Sequence, residues 1–332
     1  MGGESAVDPE HGSRPRRGRL DWVDALKGIG IVAVVAGHVW TRGWARDAIY
    51  AVHMPLFFIL SGYTARAVPW RTFFFAALRA LWVPFLCFSA LLLAADFLIE
   101  GWRGMRPVFP DWQQGATTIL FATEKTRGPF VILWFIPCLF LARLAWNALA
   151  SNGRRPDSRW LIAAMALAFA LALLADHHGE WSPLGLLAVP GALLMIWAGA
   201  LWRHRGPPSR IAAVAFAALA LAVPICFPPM NMKLGDLGWP GLSLAGAAAA
   251  TVTLASLVRR LPLVMIGVLA ALGRATLMIM YAHVALIHYL RPYAPDAILF
   301  AVALVASWGL YWFARQSWFT RRMLLGQPPA AR

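Results

Sequence analysis

The chain has 332 residues, 60% of them hydrophobic and 14% charged, and its mean hydropathy is +0.62. Soluble domains are about 45–50% apolar and about 25% charged, so this composition excludes a soluble enzyme and indicates an all-α, polytopic integral membrane protein. The net charge of +15 comes from short basic clusters between apolar runs. Such clusters are typical of topology signals in membrane proteins, and they argue against a nucleic-acid partner.

The chain begins with a polar segment. Residues 1–19 are rich in Gly, Pro and Arg, which predicts a disordered basic tail. No small-x-small cleavage site follows the arginine cluster, so the first apolar run is expected to be retained as a helix. Residues 20–325 are predicted to form a single transmembrane domain, followed by a short C-terminal tail, 326–332.

About ten apolar runs are long enough to cross roughly 30 Å of hydrocarbon as helices, which takes about 17 to 25 residues each. Helices are expected because backbone amides in lipid must be satisfied within the segment, and no run alternates as a barrel strand does. The predicted spans are 22–40, 48–65, 79–99, 129–149, 160–176, 184–202, 210–227, 239–258, 270–290 and 296–314.

The basic residues predict the orientation of these spans. With the N-terminus in the cytoplasm, the inner connections carry more than twice as many Lys and Arg residues as the outer ones. Positive residues concentrate on the cytoplasmic side, where anionic lipid attracts them, so both termini are predicted to be cytoplasmic. The expected location is a cell membrane, the inner membrane of a bacterium, with membrane lipids as surroundings.

Two segments depart from the simple pattern. Residues 261–290 are long for one helix and are interrupted by Gly273 and Arg274, so 261–272 is predicted to be a short interfacial or re-entrant element. The outer connection from about 100 to 128 is the longest, and a lid over a site and an ordinary loop are both open for it. Its conspicuous residues are Trp102, Asp111, Trp112 and Glu124.

The first span carries two titratable side chains, Lys27 and His38. Eleven residues apart, they differ by ~20° around the helix and ~16 Å along it, so they share one face three turns apart. Asp24, one turn before Lys27, is placed to pair with the amine. A functional role is favoured for the pair, with snorkelling of Lys27 and simple packing of His38 as the alternative.

Further histidines are predicted to join His38. His53 opens the second span after a short outer turn, residues 41–47, so the two imidazoles are expected to meet at neighbouring ends of an antiparallel helix pair. His283 lies inside the ninth predicted span, where channel lining and core packing are both open. His177 and His178 are interpreted as solvated residues of an outer loop, with a metal or acceptor site as the alternative.

The first two spans contain a recognisable pattern. It reads Asp24-x-x-Lys27, ten residues, His38, then His53-Met54-Pro55-Leu56-Phe57-Phe58 running into Ser61-Gly62-Tyr63. This pattern resembles the membrane-bound acyltransferase 3 family, especially its fucose 4-O-acetylase-like branch. Looser matches, extending to about residue 315, are Arg71 and Arg79 before Pro84, Leu133-Trp134-Phe135, and Gly273-x-x-Thr276 leading to Tyr281-x-His283.

The resemblance implies a ten-span enzyme that takes an acetyl group from cytoplasmic acetyl-CoA and delivers it to a sugar hydroxyl of a surface glycan or its lipid-linked precursor. Acetyl-CoA is then a co-substrate, and no metal is expected. Many members carry Arg at the position of Lys27. Lysine keeps the charge and the phosphate affinity but lacks the bidentate fork of arginine.

The chemistry of the donor suggests roles for these residues. Coenzyme A has a polyanionic head on a long thin arm, so its site needs cations at one end and a reactive group an arm's length away. Lys27, Arg71 and Arg79 are expected to hold phosphates near the inner surface, although arginines of inner loops also satisfy the topology rule. His38, ~16 Å deeper on the face of Lys27, is the predicted general base. An acetyl-histidine intermediate is the competing route.

The remaining candidate residues support this site. His53 is expected to complete the acceptor site, orient His38 or stabilise the oxyanion. Ser61 and Tyr63 are expected to line the donor channel, with close helix contact at Ser61-Gly62 as the alternative. The supporting residues are Asp24, Trp134, Tyr281 and His283.

Three other interpretations remain open. The enzyme can transfer another acyl group, such as succinyl. A transporter or flippase can use intramembrane Lys and His side chains as a proton or substrate path. A haem or metal protein can use the histidines as ligands, namely His38, His53 and His283.

Overall fold

The computed structural model describes residues 20–176, 181–226 and 228–327, and its regular structure in these ranges is helical. Fourteen α-helices follow the chain there. They are α1 (Asp21–Val39), α2 (Trp44–Thr64), α3 (Trp70–Ala77), α4 (Val83–Trp102), α5 (Trp112–Phe121), α6 (Phe135–Leu149), α7 (Arg159–Asp176), α8 (Val189–Arg205), α9 (Arg210–Cys226), α10 (Pro240–Val258), α11 (Leu263–Arg274), α12 (Thr276–Leu290), α13 (Asp296–Ala314) and α14 (Trp318–Leu325).

The predicted tail at 1–19, residues 328–332 of the predicted C-terminal tail, and both His177 and His178 lie outside the described residues. Within them, the all-helical, polytopic fold class is confirmed. The coil, 3-10 and π segments join the helices, and a π-helix, Leu78–Trp82, makes α3 and α4 continuous over Trp70–Trp102.

Six helices of the described chain are long and apolar enough to cross a membrane, and the bent pair of α11 and α12 makes a seventh if it is one span. The six are Asp21–Val39, Trp70–Trp102, Gly128–Leu149, Pro183–Arg205, Pro240–Val258 and Asp296–Ala314. The apolar stretches of α7 and α9 are shorter. The count of ten spans and the cytoplasmic location of both termini therefore stay predictions.

Helix α1 lies at the centre of the bundle, against α2, α10, α11, α12 and α13. Its crossing with α11 depends on two glycines. A Cβ at Gly28 would clash with the carbonyl of Leu269, and a Cβ at Gly273 would clash with the carbonyl of Asp24. Small residues let membrane helices approach until their backbones touch, because no other side chain fits between them.

The α2–α8 crossing uses the same device. A Cβ at Gly62 would clash with the carbonyl oxygen of Ile196, and one at Gly199 with that of Ile59. Gly62 therefore serves the close helix contact that the sequence offered as one alternative for Ser61-Gly62. The two crossings hold α1 and α2, which carry most of the predicted site residues, between α11 and α8.

Helices α11 and α12 meet at Ala275 with a bend of 69°. The sequence predicted a separate short element before the ninth span, and α11 is such an element. The predicted start of that span at residue 270 is wrong, because α11 continues to Arg274 and the break comes one residue later. The Thr276 hydroxyl donates to the Gly273 carbonyl at 2.7 Å across the break.

The long connection between α4 and α6 is partly helical. Asp111 caps α5 by accepting a hydrogen bond from the Gln114 amide at 2.8 Å, as an aspartate at an N-cap does. A short 3-10 turn, Thr123–Lys125, follows. The connection 100–128 thus contains regular structure, and the choice between a lid and an ordinary loop stays a prediction.

The two ends of the bundle differ in character. One end, named here the arginine-rich face, holds the start of α1, the end of α2 and the ends of α8 and α10, where Arg259 lies 3.9 Å above the Trp22 ring. The other end, the loop face, holds the end of α1, the start of α2 and the connections around α5, α9 and α13.

Candidate functional site

A cavity of about 280 Å³ lies at the loop face, and it is named the histidine cavity. Its walls come from α1, α2, α12 and the connections that precede α6 and α10. The lining residues are Ile31, Val34, His38, Arg46, Tyr50, His53, Met54, Phe57, Glu124, Val131, Ile132, Trp134, Phe135, Met230, Asn231, Met232, Lys233, Leu234, Thr276 and Met280. Most of the wall is apolar, so its few polar groups can fix the orientation of a ligand.

His38 enters this cavity from the last turn of α1. Its ring centroid lies 5.1 Å from that of His283, which is fully buried on α12. The guanidinium of Arg291 donates to the carbonyls of His38 and Val39 at 3.3 and 3.0 Å. The last carbonyls of a helix have no partners within it, so Arg291 fixes the end of α1 and the position of His38.

His53 lines the histidine cavity from α2, and a hydrogen bond defines its tautomer. Its Nδ1 lies 2.7 Å from the carbonyl oxygen of Ile49. A carbonyl only accepts, so Nδ1 carries the proton and Nε2 keeps a lone pair that can take one. Tyr50 packs on the ring at a centroid distance of 4.9 Å, and Arg46 lies 4.0 Å above Tyr50.

His283 is held in the same way, with Nδ1 donating to the Ile279 carbonyl at 2.7 Å. Its Nε2 is buried and has no hydrogen-bond partner in the described chain. Because His283 stands behind His38 rather than in the cavity wall, it can orient the His38 ring without touching a ligand.

The aromatic candidates divide between wall and core. Trp134 lines the histidine cavity beside Phe135 and Phe57. Tyr281 instead stacks on Phe88 at a centroid distance of 4.3 Å and is fully buried. Its position in the structure is that of a packing residue outside the cavity wall.

A second depression, of about 540 Å³, opens at the arginine-rich face and is named the basic cavity. It is lined by Leu20, Val23, Asp24, Lys27, Tyr63, Thr64, Arg66 and Arg203. The Lys27 ammonium lies 3.3 Å from the Asp24 carboxylate, the pairing that the sequence predicted. The Tyr63 ring packs against the rings of Trp22 and Trp202, at centroid distances of 5.2 and 4.5 Å.

A third depression, the Arg143 cavity, adjoins it at the end of α2 and measures about 340 Å³. Ser61, Arg66 and Arg143 line it, so Arg66 borders both basic depressions. Arg143 lies within α6, and its guanidinium stands 5.4 Å from the Phe73 ring.

Sequence reasoning placed Arg71 and Arg79 with Lys27, and the structure does not bring them there. Both side chains are exposed, and neither lines the basic cavity or the Arg143 cavity. Arg66 and Arg203 lie beside Lys27 instead. The available signal for Arg143 was its position inside an apolar span, where an arginine is expensive and functional by default.

Lys27 and His38 share a face of α1 but line different cavities. The histidine cavity reaches down to Ile31, which is four residues, or ~6 Å, above Lys27. The sequence predicted one passage bridged by both side chains. In this structure the two side chains line two different cavities, and the α1 residues that line them end about one helical turn apart, at Ile31 and Lys27.

One further cluster lies away from the histidine cavity. Ligand-type atoms of Asp96, Glu100 and His288 lie within 4.8 Å of one another. The Asp96 oxygens accept from the Tyr289 hydroxyl and the Val108 amide, and Glu100 pairs with Arg103 at 2.9 Å. These contacts connect α4 and α12 at the loop face, and they give the cluster a structural role.

The described helices thus place imidazoles in a cavity at one face of the bundle and cations in a cavity at the other. Residues 20–314 match the acyltransferase 3 family, described as an acyltransferase domain, and the chain belongs to this family. The resemblance found in the first two spans is therefore confirmed. The protein is a multi-pass membrane acyltransferase.

A stretch of 171 aligned residues is 31% identical to nodulation protein NolL of Sinorhizobium fredii (strain NBRC 101917 / NGR234). The alignment covers 45% of this chain and 41% of that protein, so the chain spans less than half the length of the relative it matches. No solved structure matches the chain.

Proposed function

We propose that this acyltransferase moves an acetyl group from acetyl-CoA, bound from the cytoplasm at the arginine-rich face, to a sugar hydroxyl of a surface or exported glycan at the loop face. The observation that carries the proposal is the placement of Lys27 and His38 on one face of α1, in cavities at opposite ends of the bundle. This arrangement suits a cofactor with an anionic head and a long arm.

The donor end has the required charges. Lys27, Arg66 and Arg203 supply three cations that can hold phosphates, and Tyr63 lies in the same wall. Ser61 and Arg143 line the adjoining cavity. The proposed phosphate contacts of Arg71 and Arg79 rest on the family resemblance, whereas those of Arg66 and Arg203 rest on their position beside Lys27.

The reacting end has the required base. In the proposed mechanism His38 takes the proton of the acceptor hydroxyl as its oxygen attacks the thioester carbon. The carbon–sulfur bond then breaks, and the protonated imidazole returns its proton to the leaving thiolate. His53, whose Nε2 lone pair faces the same cavity, assists by orienting the hydroxyl or the His38 ring. No metal is required for this chemistry.

The deciding experiment reconstitutes the full chain in liposomes with radiolabelled acetyl-CoA and glycan acceptors. His38→Ala is expected to abolish acetyl transfer while the protein stays inserted, because the base is lost. His204→Gln is the matched control, since this histidine is exposed and lines neither the histidine cavity nor the basic cavity. Normal transfer by the His38→Ala variant would refute the proposed base.

The acyl group and the acceptor are tested in cells. NMR of the surface polysaccharide, with and without the gene, is expected to show loss of an acetyl signal and to identify the modified hydroxyl. Loss of a succinyl signal instead would assign a different donor. An unchanged spectrum would contradict a glycan acceptor.

A further inference from the structure

The roof of the histidine cavity is a hydrogen-bonded assembly of loops. The Thr123 hydroxyl donates to the Ser182 carbonyl at 2.6 Å and accepts from the Gly185 amide at 3.0 Å. The Ser182 amide in turn donates to Oε2 of Glu124 at 2.8 Å. Thr123 is fully buried, so this network fixes the direction of the neighbouring Glu124 carboxylate.

The second oxygen of that carboxylate is unsatisfied. Oε1 of Glu124 is buried and has no hydrogen-bond partner in the described chain, and Glu124 lines the histidine cavity. A buried carboxylate oxygen without a donor costs free energy, so native proteins rarely leave one unless it has a function. A ligand that donates a hydrogen bond inside the cavity would satisfy it.

Lys233 provides the complementary group on the opposite loop. Its ammonium donates to the Thr126 carbonyl at 2.5 Å and lines the same cavity as Glu124. An ammonium has three N–H donors, so two remain for other acceptors. The carboxylate of Glu124 lies near enough to attract this charge, and the wall also contains Trp134 and Asn231.

We propose that Glu124 and Lys233 form a subsite for two neighbouring hydroxyls of a neutral sugar, adjacent to the hydroxyl that is acylated. Oε1 of Glu124 accepts from one hydroxyl, and Lys233 donates to the oxygen of its neighbour. The subsite deepens the proposed function, on which its role in catalysis rests. It makes a polyhydroxylated acceptor distinguishable from a simple alcohol, because the alcohol would leave both groups unpaired.

Glu124→Gln tests the subsite with little change in shape. The amide oxygen can keep the bond from Ser182, and the amide nitrogen then occupies the position of Oε1, where it donates instead of accepting. The dissociation constants of methyl glycosides of neutral hexoses are measured on the full-length protein in detergent, without donor. We expect Glu124→Gln to weaken binding at least tenfold.

Lys125→Met is the matched control, because Lys125 is exposed on the same turn and should leave the sugar affinity within twofold. Lys233→Met is expected to weaken binding similarly, and Lys233→Arg to restore most of it by returning a cation. Thermal unfolding identifies any variant that loses affinity by losing its fold.

Binding of deoxy sugars provides a second test of the subsite. The deoxy glycoside that lacks the hydroxyl facing Glu124 should bind wild type about tenfold more weakly and lose nothing further with Glu124→Gln. Equal sugar affinity in wild type and Glu124→Gln, or no sugar binding at all, would overturn the subsite. Sugar binding that depends on Glu124 without acetyl transfer would overturn the proposed function and leave the subsite standing.

Discussion

Arg291 connects the turn after α12 to the last turn of α1, where His38 lies. Its guanidinium bonds two carbonyls there and approaches Asp296 at 3.6 Å. A cation at a helix C-terminus contributes about 0.3–1 kcal/mol. The energy is small, but the contact sets the angle at which His38 enters the cavity.

Arg291→Ala is therefore expected to lower kcat several-fold and destabilise the protein by about 0.3–1 kcal/mol, with the KM for the donor unchanged. Arg291→Lys should recover part of kcat, because it returns the charge. Arg42→Ala, an exposed arginine near the end of α1, is the control. Steady-state kinetics and thermal unfolding make the measurement, and an unchanged kcat in Arg291→Ala would show that the cap does not position His38.

The proposed role of Lys233 in acceptor binding predicts a dependence on pH. Burial lowers the pKa of its ammonium to about 8, and the Glu124 carboxylate opposes the shift. Burial acts this way because it disfavours the charged form. The other charged or titratable groups facing the same cavity are Arg46, Tyr50, His38 and His53.

In the proposed subsite the charged form binds the sugar oxygen, so sugar affinity should fall as the pH rises through about 8. Lys233→Arg should keep its affinity to higher pH, since arginine stays protonated. Titrating sugar binding from pH 6.5 to roughly 9.5 checks this within the range of these groups. A flat profile in wild type would exclude Lys233 as a donor to the sugar.

At the scale of elements, the α1–α11 crossing shows that the position of a glycine on the helix, and not its presence alone, determines its role in packing. Gly273 and Gly267 lie on the same helix, but a Cβ at Gly273 meets the α1 backbone and one at Gly267 meets nothing within 4 Å. The sequence marks Gly273 as a break in the apolar run, but it does not show that this glycine contacts α1. The difference comes from which face of α11 meets α1.

Gly273→Ala is expected to destabilise the bundle by about 1–3 kcal/mol or to prevent folding, because the added carbon overpacks the crossing. Gly267→Ala should leave stability unchanged or slightly higher, since alanine favours helices. Yield of monodisperse protein and the thermal midpoint in detergent compare the two. Equal stability would mean that α11 does not pack on α1 as described.

Helical periodicity explains what could be predicted within an element. Lys27 and His38 on one face, and Asp24 beside Lys27, follow from 3.6 residues per turn. The period does not show which loop arginine turns inward, so Arg66 and Arg203 were missed and Arg71 and Arg79 were placed in their stead. Glu124 was conspicuous in the sequence, but its place beside Lys233 in the histidine cavity was not predictable, because the path of a loop depends on tertiary contacts such as those of Thr123.

At the scale of the molecule, apolar run length was sufficient to predict a helical membrane protein, and the first two spans were sufficient to indicate the family. Gly273 and Arg274 indicated the break near Ala275, but the sequence did not give its 69° angle, which depends on packing. The two-cavity arrangement was not predictable at all. It depends on how tightly α1, α2, α8 and α11 close around the middle of the bundle.

The topology itself can be measured. Single cysteines replacing His204 and Trp112, in a background without Cys87, Cys138 and Cys226, report the arginine-rich face and the loop face. A membrane-impermeant maleimide is expected to label the Trp112 position in intact cells, and the His204 position after permeabilisation only. Labelling in the reverse order would place the basic cavity outside the cell and contradict a cytoplasmic donor.

The linings of the two cavities on α1 end about one helical turn apart, at Ile31 and Lys27. This separation matters for the ion permeability of the membrane. If the two cavities joined into one water-filled passage across the membrane, protons would leak through it and dissipate the gradients that drive energy metabolism. Cavities that stay separate while no donor is bound would prevent such a leak. The proposed mechanism therefore requires the thioester arm of the donor to displace side chains between the two cavities, so that the acyl group crosses without an open path for ions.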